Sequence, residues 1–330
     1  MRGRADIRRL VAILSFMLIL GLAGLGGSVW AAFSAKTTNS GNTVTAAADW
    51  VAPTASSSVI GKTQGGTPGF IHQGGSYNAY ANVADTGNPA SGTASVKGNV
   101  SSVSTGLTAT ALISGSYSIG ATSYNYRTAN LSANATLTAG TFSYSLTSTD
   151  NAGNIGTQSG FTVIVDNTAP TASDIQTTNK SGNIAARPEI GDTIVFTYSE
   201  PIDPNSVLAG WTGAPTNVVV RINDKAGQGS NDQAAVYNAA NSLQLPLGTV
   251  DLGNDYVTAN ADFGVTGTAS SMAISGNAIT VTLGTASAGP RTATSNGAMV
   301  WAPSALATDR AGNAESTTTR TETGTADKEF

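Results

Sequence analysis

The sequence predicts an all-β chain, with two tandem β-sandwich domains after an N-terminal hydrophobic leader helix. Beyond Pro53, no stretch keeps the 3.6-residue apolar period of an amphipathic helix, whereas short alternating runs recur between turn clusters. One turn sequence occurs twice, and an apolar run follows a basic N-terminus. A chain of 330 residues is long enough for a leader and two domains of ordinary size.

The N-terminal segment, residues 1–35, has the pattern of an export signal. Four arginines between residues 2 and 9 precede an uncharged, largely aliphatic stretch from Leu10 to Ala35. This order is typical of a secretory signal peptide, with cleavage expected between about Ser28 and Ala35. An uncleaved membrane anchor stays open as an alternative, because about 20 apolar residues suffice to span a bilayer. Both interpretations place the chain from Lys36 onward outside the cytoplasm, either secreted or tethered at the cell surface.

Residues 36–52 belong to a segment with a second export feature. An aromatic residue precedes Phe33-Ser34, and Gly41-Asn42-Thr43-Val44-Thr45-Ala46 follows a short turn. This pattern resembles the start of the camelysin and biofilm-fibre precursors of Gram-positive bacteria, although Ala47 stands where those sequences usually have Gly. The resemblance implies processing by a dedicated signal peptidase and assembly in a matrix or on the cell surface.

Eight segments after Pro53 alternate as strands do and are separated by Gly, Asn, Asp and Pro turns. They are Tyr77–Val83, Leu107–Ile113, Thr141–Thr147, Gly160–Val165, Thr193–Tyr198, Asn217–Ile222, Ala278–Leu283 and Ala298–Ala302. We expect Phe161, Val163 and Val165 to share one buried face, and Val195 to pack inward.

The repeated turn divides the chain. Thr149–Asn154 (Thr-Asp-Asn-Ala-Gly-Asn) recurs as Thr308–Asn313 (Thr-Asp-Arg-Ala-Gly-Asn). Aspartate accepts backbone N–H bonds in such a turn, and Gly and Asn tolerate its left-handed geometry, so each copy predicts the last hairpin of a sandwich. A strand ending at Val165 and the polar segment Asp166–Thr171 follow the first copy. The expected boundary lies near Asn167, giving sandwiches at 53–167 and 168–330.

Both the Asp-x-Ala-Gly-Asn turn and the joint Val165–Thr171 resemble bacterial immunoglobulin-like modules of surface proteins. In addition, the apolar strand before Ser199-Glu200-Pro201-Ile202-Asp203 is similar to the family whose signature is Ser-Glu-Pro-Met/Ile-Asp. The resemblance covers the C-terminal half and, more loosely, residues 53–167. It implies extracellular spacing, display or adhesion, and it supplies no catalytic residues. The second domain is longer than a minimal sandwich, which predicts an insertion between Asn223 and Ala269.

Composition excludes several chemistries. The chain has no cysteine, so disulfides, thiolate nucleophiles and Cys-ligated zinc are ruled out, and its single histidine rules out multi-histidine metal sites. Charged residues make up 11% of the chain and the formal net charge is -4, which leaves no basic surface for nucleic acid. We predict no catalytic, cofactor-binding or metal-binding residues.

Two motifs only imitate catalytic or phosphate-binding sites. His72 lies in a Gly-rich loop, Gly69–Gly75, and no Gly-x-Ser-x-Gly elbow accompanies it. Gly61-Lys62-Thr63 matches the end of a phosphate-binding loop, but Ser56 stands where that loop needs Gly. The chain is therefore predicted not to be an enzyme.

Acidic residues at the joint and in the turns leave a calcium site open as an alternative. Asp166 and Asn167, with Asp150 or Asp309, have the oxygen ligands that calcium prefers, and Glu200 and Asp203 form a compact acidic pair. Turn and linker caps are the favoured interpretation, and adjacent acids at one corner are poorly placed for glycoside hydrolysis. Core packing is the expected role of the aromatic residues Tyr124, Tyr126, Trp211 and Trp301.

These features predict a non-catalytic, exported bacterial protein of the cell surface or extracellular matrix, acting as structural spacer, adhesion or assembly module. The expected partners are wall or matrix components and possibly a second copy, contacted through sandwich edges or loops. The alternative is a carbohydrate- or wall-binding module, or an accessory part of a wall-acting hydrolase. An exposed aromatic platform would favour that alternative.

Overall fold

A computed structural model describes residues 49–225 and 231–330 of the chain. Both described stretches are all-β, as predicted, with nineteen strands and one four-residue helix. The predicted leader, its cleavage region and residues 36–48 lie outside the described residues. Within the described part of the chain, no helix is long and apolar enough to cross a membrane.

The first nine strands form one sheet, whose core and loops we call the first module (residues 49–165). The strands are β1 (Thr54–Lys62), β2 (Phe70–Ile71), β3 (Ser76–Ala84), β4 (Thr93–Asn99), β5 (Thr110–Ile119), β6 (Thr122–Thr128), β7 (Leu131–Ser132), β8 (Gly140–Asp150) and β9 (Ile155–Val165). They run in the order β1-β3-β6-β5-β4-β8-β9-β2, with β7 beside β3.

The two outer parts of this sheet approach each other through Gly69. Its N–H donates to the Ile60 carbonyl on β1 (2.7 Å), and its carbonyl accepts from the Ile164 N–H on β9 (2.9 Å). Gly69 has a φ of +88°, a conformation that side chains rarely adopt, so glycine is the fitting residue here. The sheet therefore curls toward a closed sandwich rather than remaining an open plane.

The remaining strands form the second module (residues 172–330). They are β10 (Ala172–Thr178), β11 (Thr193–Tyr198), β12 (Thr216–Asn223), β13 (Gln233–Asn238), β14 (Gln244–Asp251), β15 (Ala261–Phe263), β16 (Ser270–Ser275), β17 (Ala278–Thr282), β18 (Val300–Ala302) and β19 (Arg320–Thr321). Their order is β10-β11-β17-β16-β12-β13-β14-β18-β19, with β15 beside β12. Helix α1 (Pro204–Val207) follows β11, and Asp203 is its N-cap.

The second sheet also closes, through side chains of its outer strand β10 that bind Thr323, two residues after β19. Asp174 on β10 accepts the N–H of Thr323 (2.8 Å), and Gln176 on the same strand donates to the Thr323 carbonyl (3.0 Å). Trp301 fills the middle of this module, fully buried and edge-on to the rings of Phe196 and Tyr198. Each module thus encloses an apolar core of its own.

The predicted strand faces are largely confirmed, with one error. Val163 and Val165 are buried, and Phe161 packs half-buried against the same core. Val195, however, does not pack inward: β11 buries its neighbours Ile194 and Phe196, which leaves Val195 on the half-exposed outer face. Three consecutive apolar residues do not fix the face of a strand, because side chains alternate with a period of two.

The segment predicted as an insertion, between Asn223 and Ala269, contributes strands to the sheet. β13 pairs with β12 and β14, and β15 pairs with β12. Buried Asp232 anchors the segment, because its carboxylate accepts the backbone N–H groups of Tyr256 (2.6 Å) and Val257 (2.8 Å). These residues are thus part of the second module's core architecture.

Candidate functional site: the module ends

The repeated turn has the same geometry in both modules. Asp309 accepts the N–H of Asn313 (2.8 Å) and its side-chain amide (2.8 Å), and Asp150 accepts the corresponding groups of Asn154 (both 2.7 Å). Both aspartates are nearly fully buried. The predicted role of these residues as turn caps is confirmed.

A second repeat, not recognised from the sequence, marks where the chain enters each module. Asp49 begins Asp-x-x-Ala-Pro-Thr-Ala before β1, and Asp166 begins the same pattern before β10. The turn asparagines connect to these positions: Asn154 Nδ2 donates to the Asp49 carbonyl (3.2 Å) and Asn313 Nδ2 donates to the Asp166 carbonyl (2.9 Å). We call this entry side the proximal end of each module.

The opposite side, the distal end, carries the loop after each module's first strand. In the first module this is the segment 63–75 between β1 and β3, which includes the short strand β2 and which we call the loop 63–75. In the second module it is the loop 179–192 between β10 and β11. The chain leaves the first module at Val165, on its distal end, and enters the second at Asp166. The joint therefore brings the distal end of the first module to the proximal end of the second.

Each proximal end gathers three carboxyl groups, with ligand oxygens within 4.8 Å of one another. The first group is Asp49, Asp85 and Asp150, and the second is Asp166, Glu200 and Asp309. Asp85 and Glu200 are topological counterparts, because each follows a strand whose last residue pairs with the start of the module's first strand. Sequence reasoning missed Asp49 and Asp85, although the Asp-x-x-Ala-Pro-Thr-Ala repeat was a usable signal for Asp49.

The two groups differ electrostatically. Backbone N–H groups of Val51 and Ser91 bind Asp49 and hold the pKa of its carboxyl below the usual range. Burial, followed by repulsion from Asp166 and Asp309, raises the pKa of Glu200 to about 7. Near neutral pH, the Glu200 carboxyl is thus poised between its charged and neutral forms.

Three carboxylates are a ligand set that suits a hard cation such as calcium. In the first group, however, every carboxylate already accepts hydrogen bonds from its own loop: Asp85, for example, accepts from Gly87 and Gly92. In the second group, Asp309 is occupied by its turn, and Glu200 Oε1 is buried without a hydrogen-bond partner. Hydrogen bonds to nearby loop groups therefore account for most of these acids, whereas Glu200 has a buried oxygen without a hydrogen-bond partner.

Lys62 is the main contact of the joint. Its ammonium forms an ion pair with Asp203, with 6% and 2% of the two side chains exposed. The same ammonium donates to the carbonyl oxygens of Arg310 (2.9 Å) and Asp309 (3.4 Å). Three acceptors match the three N–H groups of a lysine, so the buried charge is both paired and hydrogen-bonded.

Other residues of the first module's distal end complete the joint. Asn167 accepts the N–H of Gln73 (2.8 Å), and its own amide donates to the Leu137 carbonyl (2.7 Å). The Arg310 guanidinium lies over the ring of Phe70, 4.3 Å from its centre. The linker is thus held against the first module while the repeated turn of the second module covers it.

The residues considered for chemistry on sequence grounds have structural partners. His72 Nδ1 lies 2.8 Å from the Gln73 carbonyl, an adjacent backbone group. Lys62 is buried in the joint and Asp203 is its partner, whereas Glu200 belongs to the carboxyl group described above. The structure thus separates Glu200 and Asp203 into different roles.

The candidate aromatic platform is absent from the described surface. Trp301 is fully buried, with its indole N–H donating to the Leu247 carbonyl (2.6 Å), and Trp211 and Tyr124 are also buried. Tyr126 is half-buried against the first module's core. As predicted, these aromatic residues are used mainly in packing.

Comparisons with known proteins leave the chain without a family assignment. No protein-family model matches it, and a search of curated proteins found no match.

Proposed function

We propose that this chain is a non-catalytic, exported bacterial protein of the cell surface or extracellular matrix, in which two tandem immunoglobulin-like sandwiches form a stiff spacer. The leader directs export, whether it is cleaved or retained as an anchor, and the modules hold their contact surfaces away from the membrane. Wall or matrix components, and other copies of the chain, are the proposed partners.

The observation that carries this proposal is the joint. Domains connected by a flexible linker move independently by default. Here the linker is short. The side-chain amide of Asn167 both accepts a hydrogen bond and donates one to the first module. The Lys62 ammonium binds three acceptors in the second module. A buried ion pair with every donor satisfied favours one specific arrangement of the modules over others. Such a joint suits a load-transmitting spacer.

The non-catalytic assignment rests on what the candidate groups do. A Ser-His-Asp hydrolase needs its nucleophile, base and orienting acid within hydrogen-bonding reach of one another, and a glycoside hydrolase needs two carboxyl groups that flank the scissile bond. The candidates His72, Glu200 and Asp203 lie in loops where backbone, lysine or other carboxyl groups surround them. The alternative of a carbohydrate-binding module is less well supported, because Trp211 and Trp301 are buried in the core.

The test is to locate the native chain and to assay it. Cells would be separated into cytoplasm, membrane, wall and medium, and the band identified by antibody and by N-terminal sequencing. We expect the chain in the wall, matrix or medium fraction, binding wall material without cleaving it. Full-length protein free in the cytoplasm would contradict export. Hydrolysis of wall polymers that is lost in His72→Ala or Glu200→Gln would contradict the non-catalytic assignment.

A further inference from the structure

Among the described residues, nothing docks on the proximal end of the first module, which is built from the same parts as the end that docks in the joint. Asp49, Asp85 and the turn Asp150–Asn154 correspond to Asp166, Glu200 and Asp309–Asn313. Every contact described above between the modules lies at the distal end of the first module, which leaves its proximal end facing away from the second. The described residues thus contain two proximal ends of the same construction, and only that of the second module is in contact with another module.

The proximal end of the first module is more apolar than its docked counterpart. Trp50 is 73% exposed, the most exposed aromatic side chain of the described residues, and Ile155, beside the repeated turn, is 66% exposed. Trp50 follows Asp49 as Asn167 follows Asp166, and Asn167 is the residue that binds Gln73 and Leu137 in the joint. Trp50 therefore occupies a position that makes contacts between modules.

The opposite extremity of the chain, the distal end of the second module, offers a matching surface. Its loop 179–192 is the counterpart of the loop 63–75, which supplies Thr67, Phe70 and Gln73 to the joint. Ile184 (49% exposed) and Ile190 (43% exposed) lie on this loop. These apolar side chains lie on the loop that corresponds to the one through which the first module contacts the second.

The loop 179–192 is held in a fixed shape. Asp192 is fully buried and accepts the N–H groups of Lys180 (2.8 Å) and Glu189 (2.7 Å) together with the side-chain amide of Asn183 (2.7 Å). Glu189 in turn accepts the N–H of Ile184 (2.6 Å). A preorganised loop loses little conformational freedom on binding, which favours its use as a contact surface.

From these relationships we propose that copies of this chain associate head to tail, with the proximal end of one first module docking on the distal end of another copy's second module. The contact uses the same two ends as the internal joint, with Trp50 and Ile155 against Ile184 and Ile190 in place of the Lys62–Asp203 ion pair. Because the two surfaces are different, the contact is heterologous and generates linear chains rather than a closed dimer. This proposal rests on the proposed function and names the assembly surface.

Module ends are small, so each contact is expected to be weak and the assembly to depend on concentration. Association through sheet edges, which the sequence suggested, is less well supported. Gly69 bridges β1 and β9 of the first sheet, and Thr323, two residues after β19, is hydrogen-bonded to Asp174 and Gln176 on β10 of the second. The module ends expose the apolar side chains instead.

The test uses the exported chain and two single-end variants, Trp50→Glu for the proximal end and Ile184→Glu for the distal end. Light scattering at increasing concentration should show a rising average mass for the wild type and monomer mass for each variant. An equimolar mixture of the two variants should give a dimer, because each retains the surface that the other lacks. Ile113→Glu, an exposed isoleucine on the first module's sheet (58% exposed), is the matched control and should assemble like the wild type.

Circular dichroism and thermal melting of each variant would establish that it is folded. A wild-type chain that stays monomeric at all concentrations overturns the inference, as does assembly that survives both variants or a mixture that stays monomeric. Wall binding by the same samples distinguishes the two proposals: binding without head-to-tail assembly rejects the inference and leaves the surface function standing. Absence from the wall and matrix would reject the proposed function itself.

Discussion

Lys62 at the end of β1 and Asp203 at the N-cap of α1 belong to different modules and form an ion pair that is almost completely buried. Removing one partner of such a pair leaves the other charge buried without compensation, which typically costs about 3–5 kcal/mol. Lys62→Met should therefore destabilise the joint by about 3 kcal/mol. Limited proteolysis within the linker 166–171 and urea unfolding would measure the effect.

The control for this prediction is Lys97→Met, which removes an exposed lysine from β4 of the same module and should change stability little. The double variant Lys62→Met/Asp203→Asn should recover part of the loss, because neither residue then carries an unpaired charge. Equal resistance of wild type and Lys62→Met to proteolysis in the linker would show that the ion pair does not hold the joint.

Glu200 provides a pH-dependent prediction at the same joint. Its pKa is raised to about 7, so its contribution to stability is fully present below the ordinary pKa of the carboxyl and is lost as pH rises through about 7. Glu200→Gln keeps the size but cannot ionise. In EDTA, we expect the variant to melt higher than the wild type at pH 8 and to differ little at pH 4.

Calcium binding at these carboxyl groups would give the opposite result for Glu200→Gln. If the carboxyl groups of Asp166, Glu200 and Asp309 shared a cation, calcium would stabilise the wild type, and Glu200→Gln would abolish that gain. A Glu200 carboxyl that is buried without a cation predicts the reverse, with Glu200→Gln more stable at pH 8 in the presence or absence of calcium. Melting curves with EDTA and with added calcium would separate these two states of the joint.

Glu315 is a second buried acid, inside the second module. Only 2% of it is exposed, neither of its carboxyl oxygens has a hydrogen-bond partner, and burial raises its pKa to about 8. The folded state then holds a proton that the unfolded chain releases, so stability falls between about pH 4.5 and pH 8. The stability difference between Glu315→Gln and the wild type should widen over this range and become constant above it.

Glu189→Gln is the control of opposite sign for Glu315. Hydrogen bonds from Arg187 and from the Ile184 N–H lower the pKa of Glu189, so its contribution is present above its ordinary pKa and is lost at acid pH. This variant should lose stability at neutral pH and approach the wild type as pH falls. Parallel pH profiles for the two glutamine variants would contradict the assignment of a buried neutral Glu315.

The all-β class and long strands such as β3, β8 and β12 were predictable because alternating apolar residues and turn residues agree with each other. Thr193–Tyr198 matches β11 at both ends. β1 was not predicted: its sequence Thr-Ala-Ser-Ser-Ser-Val-Ile-Gly-Lys is polar for most of its length. Its strand conformation is determined by pairing with β3, a long-range contact that no local pattern reveals.

The site was predictable only where one residue's role is local. Asp150 and Asp309 cap their own turns, so a six-residue motif was sufficient to assign them. Lys62 and Asp203 are separated by 141 positions and meet only because the linker folds one module's end onto the next. The sequence Gly61-Lys62-Thr63 indicated only an incomplete phosphate-binding motif. No local feature indicates that Lys62 has a partner in the other module.

The segment ending at Phe330 gives the last prediction. Phe330 is 4% exposed, lies edge-on to the Tyr256 ring with centres 5.4 Å apart, and donates its N–H to Thr177 Oγ1 on β10 (3.1 Å). Its carbonyl accepts from Ala186 in the distal loop.

Phe330→Ala leaves a cavity beside Tyr256 and should cost about 3 kcal/mol, since Phe-to-Ala changes in cores cost roughly 3–5 kcal/mol. Phe330→Leu keeps most of the volume and should cost less than half as much. Urea unfolding followed by Tyr and Trp fluorescence would measure both variants. Equal stability of Phe330→Ala and the wild type would show that this segment is not part of the second module's folded core.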